Sequence, residues 1–574
     1  MTRSVLPGIV GLALLLCRPA GAVPPTSTRP QEQPPLQPPR VSLTDGAALV
    51  RLVRSATNEY LLHRTPADRQ AIPAELTELA KREYTVAVTL RDGGKPVARV
   101  VRAGASAPRN TIAAALEAMR SPLLPDRVTQ KVLDALTVEV EVLGEPQDVL
   151  PDALKAFRPG LTGLMLTRGQ VQAYCLASTA YASGLDLERM RQDCLLQASL
   201  LQAPLTPETT PVQPRWELFT TKHYVGYPDA RSVWLYRGKL LDPPESIDEN
   251  ALAAEAERAG RFLVRRQDSS GCYRCGGDQA PLAEHLYATY AMVRLTKATG
   301  GTEFLASAAK ALQYASRSVK RQPPAAWVAT ERPEEDLAAT ALFVLIAASI
   351  PPNEELDSLR GQLVTYLVGE LGEKQKLESR LAASKPAGRW LKGAYLACMA
   401  LDAALTTDSP DRATLAICRG TLAQATPPDA EADLWRIRAG IPDRYSRQAT
   451  QPAKDLLILP VDDTGPADEV GGFAVVGQAP TTLPTALVAV NLAAQLSEGP
   501  EKLTAEAARQ AAKDLAAARR FCYRMTFKSR EAFFAAAPAD WAGAVRASPE
   551  SAKVTVEACA AAIEAFIAKA PPGR

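Results

Sequence analysis

Apolar and polar residues alternate strictly from Leu136 to Val142, with Thr137, Glu139 and Glu141 set between Leu136, Val138, Val140 and Val142. A period of two predicts a strand with one buried face and with Glu139 and Glu141 turned away from it. Upstream, Leu43–His63 crowds Ala47, Leu49, Val50, Leu52 and Val53 on one side, the spacing of a helix. Tyr84–Leu90 and Val97–Val101 read as strands joined by the Asp- and Gly-rich turn Arg91–Lys95. Asn110 is placed to cap a helix over Thr111–Arg120. Gly163–Leu166 and Val171–Cys175 form a second hairpin pattern, and Leu185–Leu200 a closing amphipathic helix. Strands and helices interleave without regular βαβ spacing, which predicts an α+β domain.

Beyond the Pro-containing breaks Pro204–Arg215 and Leu240–Glu249 the pattern changes to helices alone. Glu284–Thr299, Asp336–Ser349, Leu391–Leu405, Thr482–Leu496 and Lys553–Phe566 are rich in small residues and apolar almost all round, as helices buried on most sides are. More amphipathic stretches lie between them: Ala251–Arg265, Glu303–Val319, Glu354–Gly369, Asp411–Gln424 and Thr504–Tyr523. Such alternation predicts an array of helical hairpins with a long insertion at Thr426–Pro480.

The run Leu136–Leu166, with Arg158-Pro159-Gly160 leading into its second strand, resembles the AMMECR domain, the family named after the AMME-syndrome candidate gene. The resemblance covers about Leu43–Leu205 and implies an α+β frame. The family's signature, Leu-Arg-Gly-Cys-Ile-Gly, is replaced here by Ala98-Arg99-Val100-Val101-Arg102-Ala103-Gly104, and no cysteine occurs between Cys17 and Cys175. Thiol chemistry at that strand is therefore excluded. The helical part resembles α/α toroids such as six-hairpin glycosidases and squalene-cyclase-like barrels, with Arg261-Phe262-Leu263 to Gly300 the most similar hairpin. An open solenoid is the alternative. The expected fold is thus multidomain: an AMMECR-like α+β domain at 41–205, a connecting segment at 206–246 and an all-α, toroid-like helical-hairpin domain at 247–570.

A chain of 574 residues exceeds what one core usually fills, in keeping with two domains. Its 47% apolar content is that of a globular protein, and a net charge of +3 gives no electrostatic footprint for nucleic acid. Arg3, the apolar run Val5–Cys17 and Ala20-Gly21-Ala22 read as a signal peptide (residues 1–22) cleaved after Ala22. Lipidation at Cys17 is the alternative, although Leu16 occupies the position where a small residue belongs. Residues 23–40 are a Pro-rich tether. The expectation is an exported bacterial protein, periplasmic or secreted, without a transmembrane helix in its mature chain.

In a toroid the starts of the inner helices and the loops before them line one mouth, so polar residues there are the candidate chemistry. Asp278, Glu284, His285 and Glu335 are the candidate catalytic groups, and Tyr287, Tyr290, Trp327 and Trp390 the candidate binding groups. Paired carboxylates across a cleft would serve glycosidic acid and base roles. Asp336 reads as a helix cap, and Asp462-Asp463 offers further carboxylates. Cys272 and Cys275, with His285 further on, have the start of a zinc spacing, but a disulfide or a pair of unbridged structural thiols is the first reading for a lone CxxC in an exported chain. The chain has only three histidines, His63, His223 and His285, so imidazole-rich metal chemistry is not expected. No cofactor motif occurs. Two readings follow: a binding or scaffold protein whose partner is a glycan or another exported protein, and a carbohydrate-active enzyme working at the toroid mouth.

Overall fold

The computed structural model describes residues 36–569 except 126–127, 149–156, 170, 202–213, 230, 244–245, 276–277, 352–353, 383–387, 442–457, 462–465, 476–477 and 498–502. The expected signal peptide, most of the tether and Asp462-Asp463 lie outside the described residues. The described part is multidomain, with helix and sheet mixed in the first portion and helix dominating the second.

The first portion opens with α1 (Leu43–His63), fixed at its start by a capping box between Ser42 and Asp45. Then come β1 (Val86–Asp92), β2 (Lys95–Arg102), α2 (Ala107–Ala118), α3 (Gln130–Ala135), β3 (Thr137–Leu143), β4 (Gln147–Asp148), β5 (Thr162–Arg168), β6 (Val171–Cys175), α4 (Ala177–Ser183), α5 (Leu187–Leu201), β7 (Arg215–Gly226) and β8 (Ser232–Leu235). The strands form an antiparallel sheet in the order β2-β1-β3-β7-β5-β6, with β4 and β8 also paired to β7. One sheet face packs Val86, Val88, Leu90, Val138, Val140 and Val142 against Leu49, Leu52 and Val53 of α1 and Ile112 and Ala115 of α2.

Three expectations are corrected here. Residues 206–246 are more than a connector, because they supply β7, an inner strand of the sheet, and β8 beside it. Asn110 does not cap α2, which starts at Ala107 with Pro108 in its first turn. The Asn110 side chain is buried and donates to the Tyr84 and Ala105 carbonyls, both at 2.8 Å, tying the helix to the start of β1. Glu139 and Glu141 do not face water: each is only 1% exposed, so β3 is buried on both faces. The second face is covered by α4 and by the Phe533–Ala535 region of the helical portion. Ser178 of α4 donates to Glu141, and the Phe533 ring lies 4.9 Å from that of His223. At the tip of the β1–β2 hairpin, Gly94 has φ +78° and sits so close to the backbone of Phe534 and Ala535 that a Cβ would be 2.4 Å from a carbonyl carbon. Only glycine fits there.

The second portion contains α6 (Glu249–Arg265), the small ribbon β9 (Arg274–Cys275) and β10 (Asp278–Gln279), α7 (Leu282–Thr299), α8 (Thr302–Ser316), the ribbon β11 (Val319–Gln322) and β12 (Ala325–Val328), α9 (Asp336–Ala347), α10 (Glu354–Leu371), α11 (Lys374–Ala382), α12 (Gly388–Ala404), α13 (Asp411–Leu422), α14 (Ala430–Arg438), the ribbon β13 (Ile458–Pro460) and β14 (Phe473–Val475), α15 (Thr482–Ser497), α16 (Ala505–Met525) and α17 (Val556–Ile567). The expectation of helices alone is therefore adjusted by three two-stranded ribbons. Helices α7, α9, α12, α14, α15 and α17 touch in that order, and α17 returns to α7. Helices α8, α10, α13, α16 and α6 pack on α7, α9, α12, α15 and α17 respectively. The small-residue pattern explains the inner set, since Ala and Gly let backbones approach and leave no polar face. Every residue of α9 from Leu337 to Ala347 is buried.

A buried charge network joins the two portions. Arg237 Nη1 donates to Glu469 at 2.6 Å and Asp468 at 3.3 Å, and Lys239 also reaches Asp468. Arg546 donates to Tyr181 of α4 and, at 2.8 Å, to Glu531. Burial outweighs the attraction of Asp468 and brings the Lys239 ammonium down to about 8.

Candidate functional site

Five inner helices present their first turns to one cavity of about 360 Å³, within the range of small-ligand sites. Helix α7 contributes Glu284 and Tyr287. Glu335 precedes α9, Arg389 and Lys392 open α12, Asp429 and Glu431 begin α14, and Glu557 begins α17. Carboxylates gather there for a local reason, because helix starts carry unpaired N–H groups and the positive end of the dipole. Asp429 shows this directly by accepting from the Ala432 N–H at 2.8 Å.

The charges at the mouth are unequal in their pairing. Lys392 Nζ bridges Glu431 at 2.8 Å and Glu557 at 3.0 Å, and these two carboxylates hold its ammonium above the ordinary range against the effect of burial. Glu335 receives Arg332 at 3.2 Å and Arg389 at 3.3 Å. Glu284 has no such clamp. Burial, followed by repulsion from Glu557 and Glu335 and opposed in part by Lys392, pushes its carboxyl up to about 7.

Below the mouth, Glu564 of α17 is fully buried and accepts from Tyr287 Oη at 2.9 Å, Arg294 at 2.7 Å and Arg438 Nη2 at 2.8 Å. Burial raises its pKa, but Arg438 and Arg294 outweigh that and hold it at about 2. Trp435 packs edge-on to Tyr287 at 5.6 Å, with Arg438 5.0 Å and Lys392 5.5 Å from its ring centre. Its buried indole N–H has no acceptor among the described residues.

The expected site residues divide accordingly. Glu284, Glu335 and Tyr287 meet at the cavity. His285 points the other way, with Nε2 bonded to the Ala311 carbonyl at 2.9 Å, Nδ1 facing the Tyr273 N–H at 3.4 Å, and its pKa lowered to about 4 by burial. Tyr290 is half-buried beside Arg294, Trp327 stacks on Tyr366 at 5.9 Å, and Trp390 sits under Arg380. None of these four lines the cavity. The Asp278 side chain lies outside the described residues. Cys272 is buried and Cys275 half-buried, and both are free thiols.

Cys272, Cys275 and His285 do not converge as a ligand set among the described residues. The group that does is Glu139, Glu141 and His223, whose ligand atoms lie within 4.8 Å of one another in the sheet. That group is already neutralised in part. Arg91 donates to one oxygen of Glu139, and His223 Nε2 lies 2.9 Å from the other. Glu431, Glu557, Lys392, Arg389 and Trp435 were not expected; each opens an inner helix, or follows within its second turn, and that position was the available signal.

Comparison with known proteins adds kinship. No family model matches the chain. A protein of the archaeon Thermofilum pendens is 31% identical over 206 residues, which take in 30% of this chain and 93% of the archaeal one. This chain belongs to that protein's family. The kinship concerns about a third of the chain and carries no activity with it. The crystal structure of an uncharacterised protein from Pyrococcus horikoshii overlaps 34% of this chain and 98% of its own at 21% identity, with a TM-score of 0.29, too low to argue a shared fold.

Proposed function

We propose that the helical portion is an α/α toroid whose mouth binds a polyhydroxylated, sugar-sized ligand, and that Glu284 is the proton donor there. One observation carries the reading. A carboxyl held near 7 shares a cavity with Glu431 and Glu557, which Lys392 clamps as acceptors. Environments that push neighbouring carboxyls apart in pKa separate acid from base, the pattern of glycoside-cleaving sites. A protonated Glu284 can give its proton to a leaving oxygen, while Glu557 or Glu431 can accept from a hydroxyl or a water. The six helices that close on one another, five of them with their starts at one cavity, support the toroid reading. The sheet portion is a divergent AMMECR-like frame without a reaction of its own, and the chain acts as an exported protein.

A second reading, binding without turnover, has its own support. Glu335, Glu431 and Glu557, which share the cavity with Glu284, are each already held in an ion pair with Arg389 or Lys392, which leaves none of them a free base. Glycan-array binding and aryl-glycoside turnover, each with wild type and Glu284→Gln, separate the two. Turnover that Glu284→Gln abolishes supports the enzyme. Binding that survives in both proteins without turnover supports the second reading. No binding to any glycan overturns both.

A further inference from the structure

Strands β3 and β7 place three donor side chains on one face of the sheet. Glu141 lies directly opposite His223, and Glu139 stands two residues from Glu141 on β3. Their ligand atoms fall within 4.8 Å of one another, and His223 Nε2 is 2.9 Å from a Glu139 oxygen. All three residues are buried, and Phe533 covers the group, its ring centre 4.9 Å from that of His223 and 5.2 Å from the Arg91 guanidinium. The group is incompletely satisfied. Ser178 donates to Oε1 of Glu141, but Oε2 is buried and has no donor. Arg91, bonded to Glu139, sets one positive charge against two carboxylates. A sealed oxygen without a donor and a sealed charge without a counter-charge are both costly. A cation held between the three residues removes both deficits.

We propose that Glu139, Glu141 and His223 bind one divalent transition-metal ion, which ties β3 to β7 beneath Phe533 of the helical portion. Two carboxylate oxygens and one imidazole nitrogen are donors for zinc or iron(II), and the imidazole disfavours magnesium and calcium. Zinc ligands lie about 2.0–2.2 Å from the ion, so the donors of one tetrahedral site stand roughly 3.4 Å apart. His223 and Glu139 are already closer than that, and rotation of the Glu141 side chain brings its free Oε2 to the same point. The ion takes the place of the proton between His223 and Glu139, which passes to solvent. Water fills the fourth position, and Arg91 stays on the other oxygen of Glu139, where it orients the ligand. Because the group is sealed, the ion enters before the Phe533 region closes over the sheet and leaves when that region opens. The site does not depend on what the helical mouth binds.

The test is metal analysis. The chain is produced in zinc-supplemented medium, purified, dialysed against EDTA while folded, and assayed for zinc and iron by elemental mass spectrometry. One equivalent of metal per chain is expected to survive the dialysis and to be released in urea. Glu141→Gln keeps an acceptor for Ser178 but loses the ligand charge, and should hold at least about tenfold less metal. Cys272→Ser and Cys275→Ser should hold as much as wild type. Wild type produced with cobalt should show the d–d bands of an oxygen- and nitrogen-ligated ion and no thiolate charge-transfer band. Wild type without retained metal, metal undiminished in folded Glu141→Gln, or a thiolate-to-cobalt band would each overturn the proposal. The cobalt spectrum needs no variant, so it keeps the test sound if Glu141→Gln fails to fold.

Discussion

The molecule gathers carboxylates in two places and treats them in opposite ways. In the sheet, Glu139 and Glu141 are sealed from water, and Arg91, His223 and Ser178 take up three of their four oxygens. At the helical mouth, Glu284, Glu335, Glu431 and Glu557 surround open space, and one of them is left unclamped. Arg91 counters the burial of Glu139 and, with His223, holds its pKa down at about 2, whereas burial and like charge raise Glu284 to about 7. The sealed cluster can only hold structure together. The open one can exchange a proton with a ligand near neutral pH.

The largest expected effect breaks the sealed cluster. Arg91→Ala leaves Glu139 buried beside Glu141 without its cation, and should cost about 3–5 kcal/mol in urea unfolding. A loss below about 1 kcal/mol would mean that water already reaches this face. Next is the open cluster. Glu284→Gln should reduce any turnover by about 10²–10⁴-fold while leaving the unfolding midpoint unchanged or higher, because it removes a poorly solvated acid. Equal loss of stability and activity would make Glu284 structural.

A smaller, pH-dependent effect sharpens the contrast. Glu284 has a folded pKa above its unfolded value of 4.5, so it contributes stability below pH 4.5 that is lost as pH rises to about 7. His285 has a folded pKa of about 4 below its unfolded 6.5, so its contribution is lost as pH falls through that window. The two slopes oppose each other in wild type. In Glu284→Gln only the histidine slope remains, and stability should rise between pH 5 and pH 7 by about 1–2 kcal/mol more than in wild type, a figure discounted for the partial exposure of the carboxyl. Urea midpoints at the two pH values measure this. Last, Leu123→Ser, at a position 70% exposed, should change stability by less than about 0.5 kcal/mol.

The helical core was legible because its residues are small and apolar. Asp336–Ala347, Thr482–Ser497 and Val556–Ile567 lie within a few residues of the boundaries read from the chain. Helix α14 was missed inside the expected insertion because it is only nine residues long, Ala-Glu-Ala-Asp-Leu-Trp-Arg-Ile-Arg, and four of them are charged. Strand β7 was missed because Lys222 and His223 follow one another in its middle and mask the period of two. Glu139 and Glu141 were read as facing solvent because alternation reports which face is apolar, and it cannot report that a second layer covers the polar one. At the site, Glu284 and Glu335 were found because helix starts were searched. Their companions Lys392, Glu431 and Glu557 come from distant segments, and only the packing of the helices brings them together.

Helix α17 packs on α6, α7 and α15 and brings both Glu557 at the mouth and Glu564 beneath it. In the order of synthesis it is made after every other wall of the cavity. A nascent chain still lacking it holds Arg294, Arg438 and Lys392 without Glu564 and Glu557, the carboxylates that pair with them. The cavity thus comes into being late and all at once, and no shorter N-terminal product can display a working copy of it.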